Sequence, residues 1–134
     1  MNFADQDILA RTIYGEARGD GFDSMLGVAN VVMNRLKAPK RFGEVIREVC
    51  LKPYQFSCWL KKDPNYPIVN SINADDALFE MSSRIAHEVI SGELPDNTDG
   101  ANHYYSSIIS APYWADEMFF TVQWGQHRFF NLPA

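Results

Sequence analysis

The first 90 residues carry apolar positions at helical spacing, and the last third of the chain does not. A first helix is predicted from an Asp5 or Asp7 cap to about Arg18, with Gly19 as its stop signal. A second fits Asp23 to Lys37, where Met25, Val28, Ala29, Val32 and Leu36 form a stripe and Pro39 lies just beyond. Phe42, Val45, Ile46 and Val49 repeat the pattern for a shorter third helix. Residues 51–72 contain Pro53, Pro64 and Pro67 and read as a loop. A fourth helix is predicted from Ala74 to Ile90, with Leu78, Met81, Ile85 and Val89 inside and Gly92 ending it. After the turn-rich run at 95–100, His103–Ser106 and Phe119–Gln123 read as short strands. The expected fold is α+β: a single compact helix-rich domain over residues 1–134, with short strands in its C-terminal third.

Charge narrows the partners. The net charge is −5, and residues 63–100 hold eight acids against one base, Arg84, whereas residues 41–62 are mildly basic. The acidic stretch reads as a solvated helix face and its following turn. No basic stripe is present to neutralise phosphates, which argues against nucleic acid. No run of 18 apolar residues occurs, which argues against membrane insertion. The start, Met1-Asn2-Phe3-Ala4-Asp5, lacks the basic and apolar regions of a signal peptide. That predicts a protein held in the cytoplasm until it is released to its target, although a piece of a longer secreted enzyme reads the same. Cys50 and Cys58 are not spaced as C-x-x-C and read as buried free thiols.

Glu16 is the oddity in the first helix. It falls on the face of Leu9, Thr12 and Ile13, where a carboxylate costs free energy unless it is paired or holds a proton. A proton-holding glutamate is what general acid catalysis needs, although spacing alone suits a buried glutamate satisfied by a hydrogen bond. Asn30 and Asn34 lie four apart, off the apolar stripe of the second helix, where two amides can meet hydroxyl or acetamido groups. Gln55-Phe56-Ser57-Cys58-Trp59 interleaves polar and aromatic side chains on a loop, as a carbohydrate site requires and as a structural plug also allows. His103-Tyr104-Tyr105, with Trp114, supplies flat apolar faces that suit either core packing or sugar stacking. His87, His103 and His127 show no H-E-x-x-H pairing, so no metal and no cofactor is expected. A Cys58 thiol nucleophile with His103 or His127 has no local signature to support it.

Several blocks in order resemble the SleB/CwlJ family of cell-wall hydrolases, known from spore-cortex-lytic enzymes and from phage and proteobacterial lysins. They are Tyr14-Gly15-Glu16-Ala17-Arg18-Gly19-Asp20, Ala29-Asn30-Val31-Val32-Met33-Asn34-Arg35, Gln55-Phe56-Ser57-Cys58-Trp59, Ala101-Asn102-His103-Tyr104-Tyr105, Pro112 with Trp114, and Gly125-Gln126-His127-Arg128-Phe129-Phe130. The resemblance implies Glu16 as catalytic acid, a fold distantly like lysozymes and lytic transglycosylases, and the bond between N-acetylmuramic acid and N-acetylglucosamine in peptidoglycan as substrate. Asp20 stands where the family usually has glutamate, Asn102 where threonine is usual, and Phe130 where a tyrosine is common. A single committed acid fits a lytic transglycosylase that forms 1,6-anhydro ends. A water-using muramidase needs a second carboxylate, for which Asp20, Asp23 and Glu44 are the candidates. A non-catalytic wall-binding module is the competing class. The expected glycan contacts are Asn30, Asn34, Gln55, Phe56, Ser57, Trp59, His103, Tyr104, Tyr105, Trp114 and His127, in a protein expected to act as a monomer on bacterial peptidoglycan.

Overall fold

The computed structural model describes residues 3–133; Met1, Asn2 and Ala134 lie outside them. Among the described residues, six α-helices come first and a three-stranded antiparallel sheet last, the α+β arrangement expected from the change in periodicity. Helix α1 (Phe3–Ala17) starts before its expected cap, so Asp5 sits in the first turn and Asp7 pairs with Arg11 at 2.9 Å. Leu9, Ala10, Ile13, Tyr14 and Ala17 are its buried positions. They face α2 (Phe22–Arg35), α4 (Ile46–Leu51) and α6 (Ala77–Ile90).

Helix α2 is the centre of the fold, with 11 of its 14 residues buried. The predicted Met25, Val28 and Val32 stripe is in the core, but the opposite side is covered as well. It ends two residues before Lys37, because the ring of Pro39 holds Ala38 out of the helical region at φ −127°, ψ 66°. Pro39 then opens a single turn, α3 (Pro39–Phe42).

Three sequence expectations are corrected here. The helix predicted over Phe42–Val49 is broken at Gly43, whose φ of +136° suits glycine, leaving Val45 exposed while Ile46 and Val49 are buried in α4. The stretch 51–72 is not all loop, since it holds a 3₁₀ turn at Ser57–Trp59 and helix α5 (Tyr66–Ser71). Pro67 sits in the first turn of α5, where its missing N–H breaks no helical bond. Helix α6 begins at Ala77 because the Asp76 side chain caps it, accepting from the Leu78 and Phe79 amides. Its buried face is Phe79, Ser82, Ile85, Ala86 and Val89, with Leu78 and Met81 turned out to solvent. The two possible stripes share Ile85 and Val89, and the bulkier Phe79 decides between them.

Strand β1 (His103–Ser106) lies where predicted and β2 (Phe120–Trp124) one residue later than predicted. A third strand, β3 (His127–Phe130), is unpredicted and central: the order is β1-β3-β2. Gly125-Gln126 forms the hairpin turn between β2 and β3, with Trp124 opposite His127. On the other side His103 faces Phe130 and Ser106 faces His127. The sheet meets α2 through a small cluster of Val31, Ala101 and Phe129.

Gly27 is the point of closest approach. A Cβ there would lie 2.5 Å from Cζ of Phe129 and 2.9 Å from its Cε2. Gly27→Ala should therefore force Phe129 or α2 to move and cost about 1–3 kcal/mol of stability in denaturant titration, reversing the gain usual for glycine to alanine in a helix.

Candidate active site

Glu16 occupies the last turn of α1, half-buried, with both carboxylate oxygens engaged. The Tyr104 hydroxyl donates to Oε1 at 2.5 Å, and the Cys58 amide approaches Oε2 at 3.4 Å. Burial, then the neighbouring Glu16 carboxylate, pushes the Tyr104 phenol well above its ordinary value, so the proton stays on tyrosine. Burial and Glu16 likewise push the Cys58 thiol up, which leaves it a poor nucleophile and removes the cysteine alternative. Gly15 allows this packing: a Cβ on it would lie 2.6 Å from Cβ of Cys58. Glu16 lines a cavity of about 310 Å³ together with Arg18, Asp20, Ser106, Gln126 and His127.

Asp20, just beyond α1, is tied to the hairpin turn. It accepts from the Gln126 amide at 3.1 and 3.0 Å and lies 2.7 Å from Nδ1 of His127, which also meets Ser24 Oγ at 2.8 Å. Burial acts to raise the Asp20 carboxyl, but the hydrogen bonds from His127, Ser24 and the Gln126 amide outweigh it and hold the carboxyl below its ordinary value. Of the other two candidates for a second carboxylate, Asp23 is exposed and Glu44 lines a different concavity, about 830 Å³, between α3 and α4.

A further cavity of about 380 Å³ gathers Gln55, His103, Tyr104 and Trp114 from the predicted groove, and adds Arg35, Arg41, Lys52, Tyr54 and Tyr113. Tyr104 relates the two cavities, since it lines this one while its hydroxyl donates to Glu16, which lines the other. Burial, then Arg35 and Arg41, lower His103 to about 4, so it is neutral at pH 7. Tyr54 and Tyr113 are exposed, and Tyr54 has a φ of +66°. The sequence reading missed both, although aromatics beside Pro53 and Pro112 were a signal for them.

Six expected glycan contacts lie elsewhere. Asn30 and Asn34 are buried: Asn30 donates to Leu26 O and Asn97 Oδ1, Asn34 to Asp96 Oδ2 and Ala101 O. They hold the 96–101 loop to α2, where Asp96, exposed as expected of a solvated stretch, accepts from Thr98, Asn34 and the Gly100 amide. Phe56 is core, packed beneath Arg35 and against Tyr104. The Trp59 indole donates to Thr12 at 2.9 Å, so it braces α1. Tyr105 points to the far face of β1 and packs on Phe130 and Arg128. Ser57 is exposed and lines neither cavity. Among the described residues, no three His, Cys, Asp or Glu side chains group to hold a metal ion, and His87 is exposed.

The model of the cell wall hydrolase family matches residues 19–130. The chain belongs to the cell wall hydrolase family. The family expected from the ordered motifs is the one found, although the matched span opens three residues after Glu16. A spore cortex-lytic enzyme of Halalkalibacterium halodurans is 26% identical over 96% of this chain, and one of Bacillus subtilis 37% identical over 41%. The chain spans 36% and 18% of those relatives' lengths. Its fold is that of the catalytic domain of the germination-specific lytic transglycosylase SleB from Bacillus anthracis: TM-score 0.74, 21% identity, covering 97% of this chain and 96% of that one. The SleB catalytic domain of Bacillus cereus gives a TM-score of 0.76 at 21% identity, covering 96% and 91%.

The Asp20 cluster carries a pH signature. Because its folded value is depressed, its contribution to stability is fully present above the ordinary value of 3.8 and fades as pH falls through the folded one. The stability gap between wild type and Asp20→Asn, measured in denaturant, should be full at neutral pH and close on acidification below 3.8.

Proposed function

We propose that this cell wall hydrolase cleaves the glycan strand of bacterial peptidoglycan between N-acetylmuramic acid and N-acetylglucosamine, with Glu16 as its acid and base. The observation that carries the reading is the Glu16 carboxylate, oriented at both oxygens, lining one cavity while its partner Tyr104 lines a second that is rich in aromatic side chains. Both structural relatives are SleB catalytic domains, and one is described as a lytic transglycosylase.

The mechanism follows from one carboxyl group. Glu16 gives its proton to the glycosidic oxygen, and the bond from that oxygen to C1 of muramic acid breaks. The C6 hydroxyl oxygen of the same sugar then bonds to C1, and its proton returns to Glu16. No water enters, and the product ends in 1,6-anhydro-N-acetylmuramic acid. Tyr104, which keeps its own proton, holds the carboxylate through both steps. Asp20 favours a second reading, water-using muramidase chemistry, because it lines the same cavity as Glu16. Its amide, imidazole and hydroxyl partners leave it badly placed to activate water, so we favour the anhydro route.

Glu16→Gln keeps the size of the side chain but removes the transferable proton, which commonly supplies roughly 10²–10⁴-fold in rate. It should abolish clearing of a murein suspension while leaving the thermal midpoint within a few degrees of wild type. Near-wild-type clearing by the folded variant sinks the assignment.

The released muropeptides should carry anhydro ends that borohydride does not reduce and that take up no label in ¹⁸O water. Labelled, reducible ends by mass spectrometry would favour the muramidase, with Asp20 the first base to test.

A further inference from the structure

The cavity that contains Tyr104 is cationic in a chain of net charge −5. Arg35, Arg41 and Lys52 line it, and its wall holds no carboxylate. Among the described residues, none of these three cations lies within 4 Å of an acid, although three arginine–carboxylate pairs form elsewhere. Arg35 is the telling case. It is 5% exposed, sandwiched between the rings of Phe42 and Phe56, and its bonds go to two neutral oxygens, Asn102 O and Gln55 Oε1. A buried guanidinium without an acid partner is costly, and an arriving anion offsets that cost. Arg41 and Lys52 extend the positive charge towards solvent, beside Tyr54 and Tyr113.

We infer that this cavity is a subsite for the carboxylates that peptidoglycan carries on the lactyl arm of muramic acid. The inference rests on glycan cleavage as the activity and names the form of glycan preferred. The uncharged acetylamino sugars have nothing for three cations to meet. The lactyl arm supplies one carboxylate when bare and several when it bears a peptide stem. Three separated cations match the stem better. The position also fits: Tyr104 puts the cavity one side chain away from Glu16, within reach of an arm projecting from a sugar at Glu16.

The test uses the inert Glu16→Gln protein and its co-sedimentation with native sacculi and with sacculi carbodiimide-amidated so that carboxyls become neutral amides, together with pull-down on bead-immobilised glycan strands that amidase has stripped so that only lactyl carboxylates remain. Native sacculi should bind roughly threefold to tenfold tighter than amidated ones, with the preference shrinking at high salt. Adding Arg41→Met and Lys52→Met should abolish the preference, and Arg41→Lys with Lys52→Arg should restore it, which a fold defect would not do. Stripped strands that bind like amidated sacculi support the stem as the partner. Stripped strands that bind like native sacculi support the lactyl carboxylate. Equal binding of native and amidated sacculi by the parent protein overturns the subsite, as does a preference that survives the double methionine change. Anhydro products from wild type together with equal binding would leave glycan cleavage standing and remove only this subsite. Binding preference without any cleavage product would do the reverse.

Discussion

The site depends on the buried polar end of α2. Asn34 and Arg35 are buried and cannot stay unpaired there, so they reach across to the carbonyls of Ala101 and Asn102. Those two residues lead straight into β1, and the second residue of β1 is Tyr104. The tether thereby sets the height of the strand against the helices, and the strand delivers a phenol to Glu16 across 88 residues of sequence. A hydrophobic residue at either position would fill the same space and leave the loop from 96 to 102 without its anchor.

The same logic explains what the sequence disclosed and what it hid. Glu16 was legible as a candidate because an acid among Leu9, Thr12 and Ile13 breaks a local rule, and such breaks are where functional sites are sought. Asn30 and Asn34 were misread because α2 was taken as amphipathic. A helix covered on every side gives no outward face, and its polar residues then become internal fasteners. Strand β3 was missed because four residues carry too short an alternation to stand out, although a Gly-Gln pair between two aromatic runs is a hairpin signal. The break at Gly43 and the outward turn of Leu78 are tertiary decisions. A glycine kink and a contest between two overlapping apolar stripes are settled by what each helix packs against.

Charge placement gave the cationic cleft away only partly. Residues 41–62 read as mildly basic, but Arg35, from a different segment, supplies the buried member of the group. Sequence distance concealed that the three cations converge. It also concealed that Asp20, read beside Glu16 on one helix end, is captured by a hairpin more than 100 residues later.

The sheet order has a temporal consequence. Strand β1 pairs with β3 and not with β2, so a growing chain that has reached Trp124 has every helix and two strands but no ladder for Tyr104 to join. Contacts of such long sequence separation form late, because their loop-closure entropy must be met first. The hairpin turn that captures Asp20 and the strand that seats Tyr104 therefore arrive in a single event. Until then Glu16 has its helix but neither of those restraints, and a nascent chain on the ribosome carries its acid unaimed.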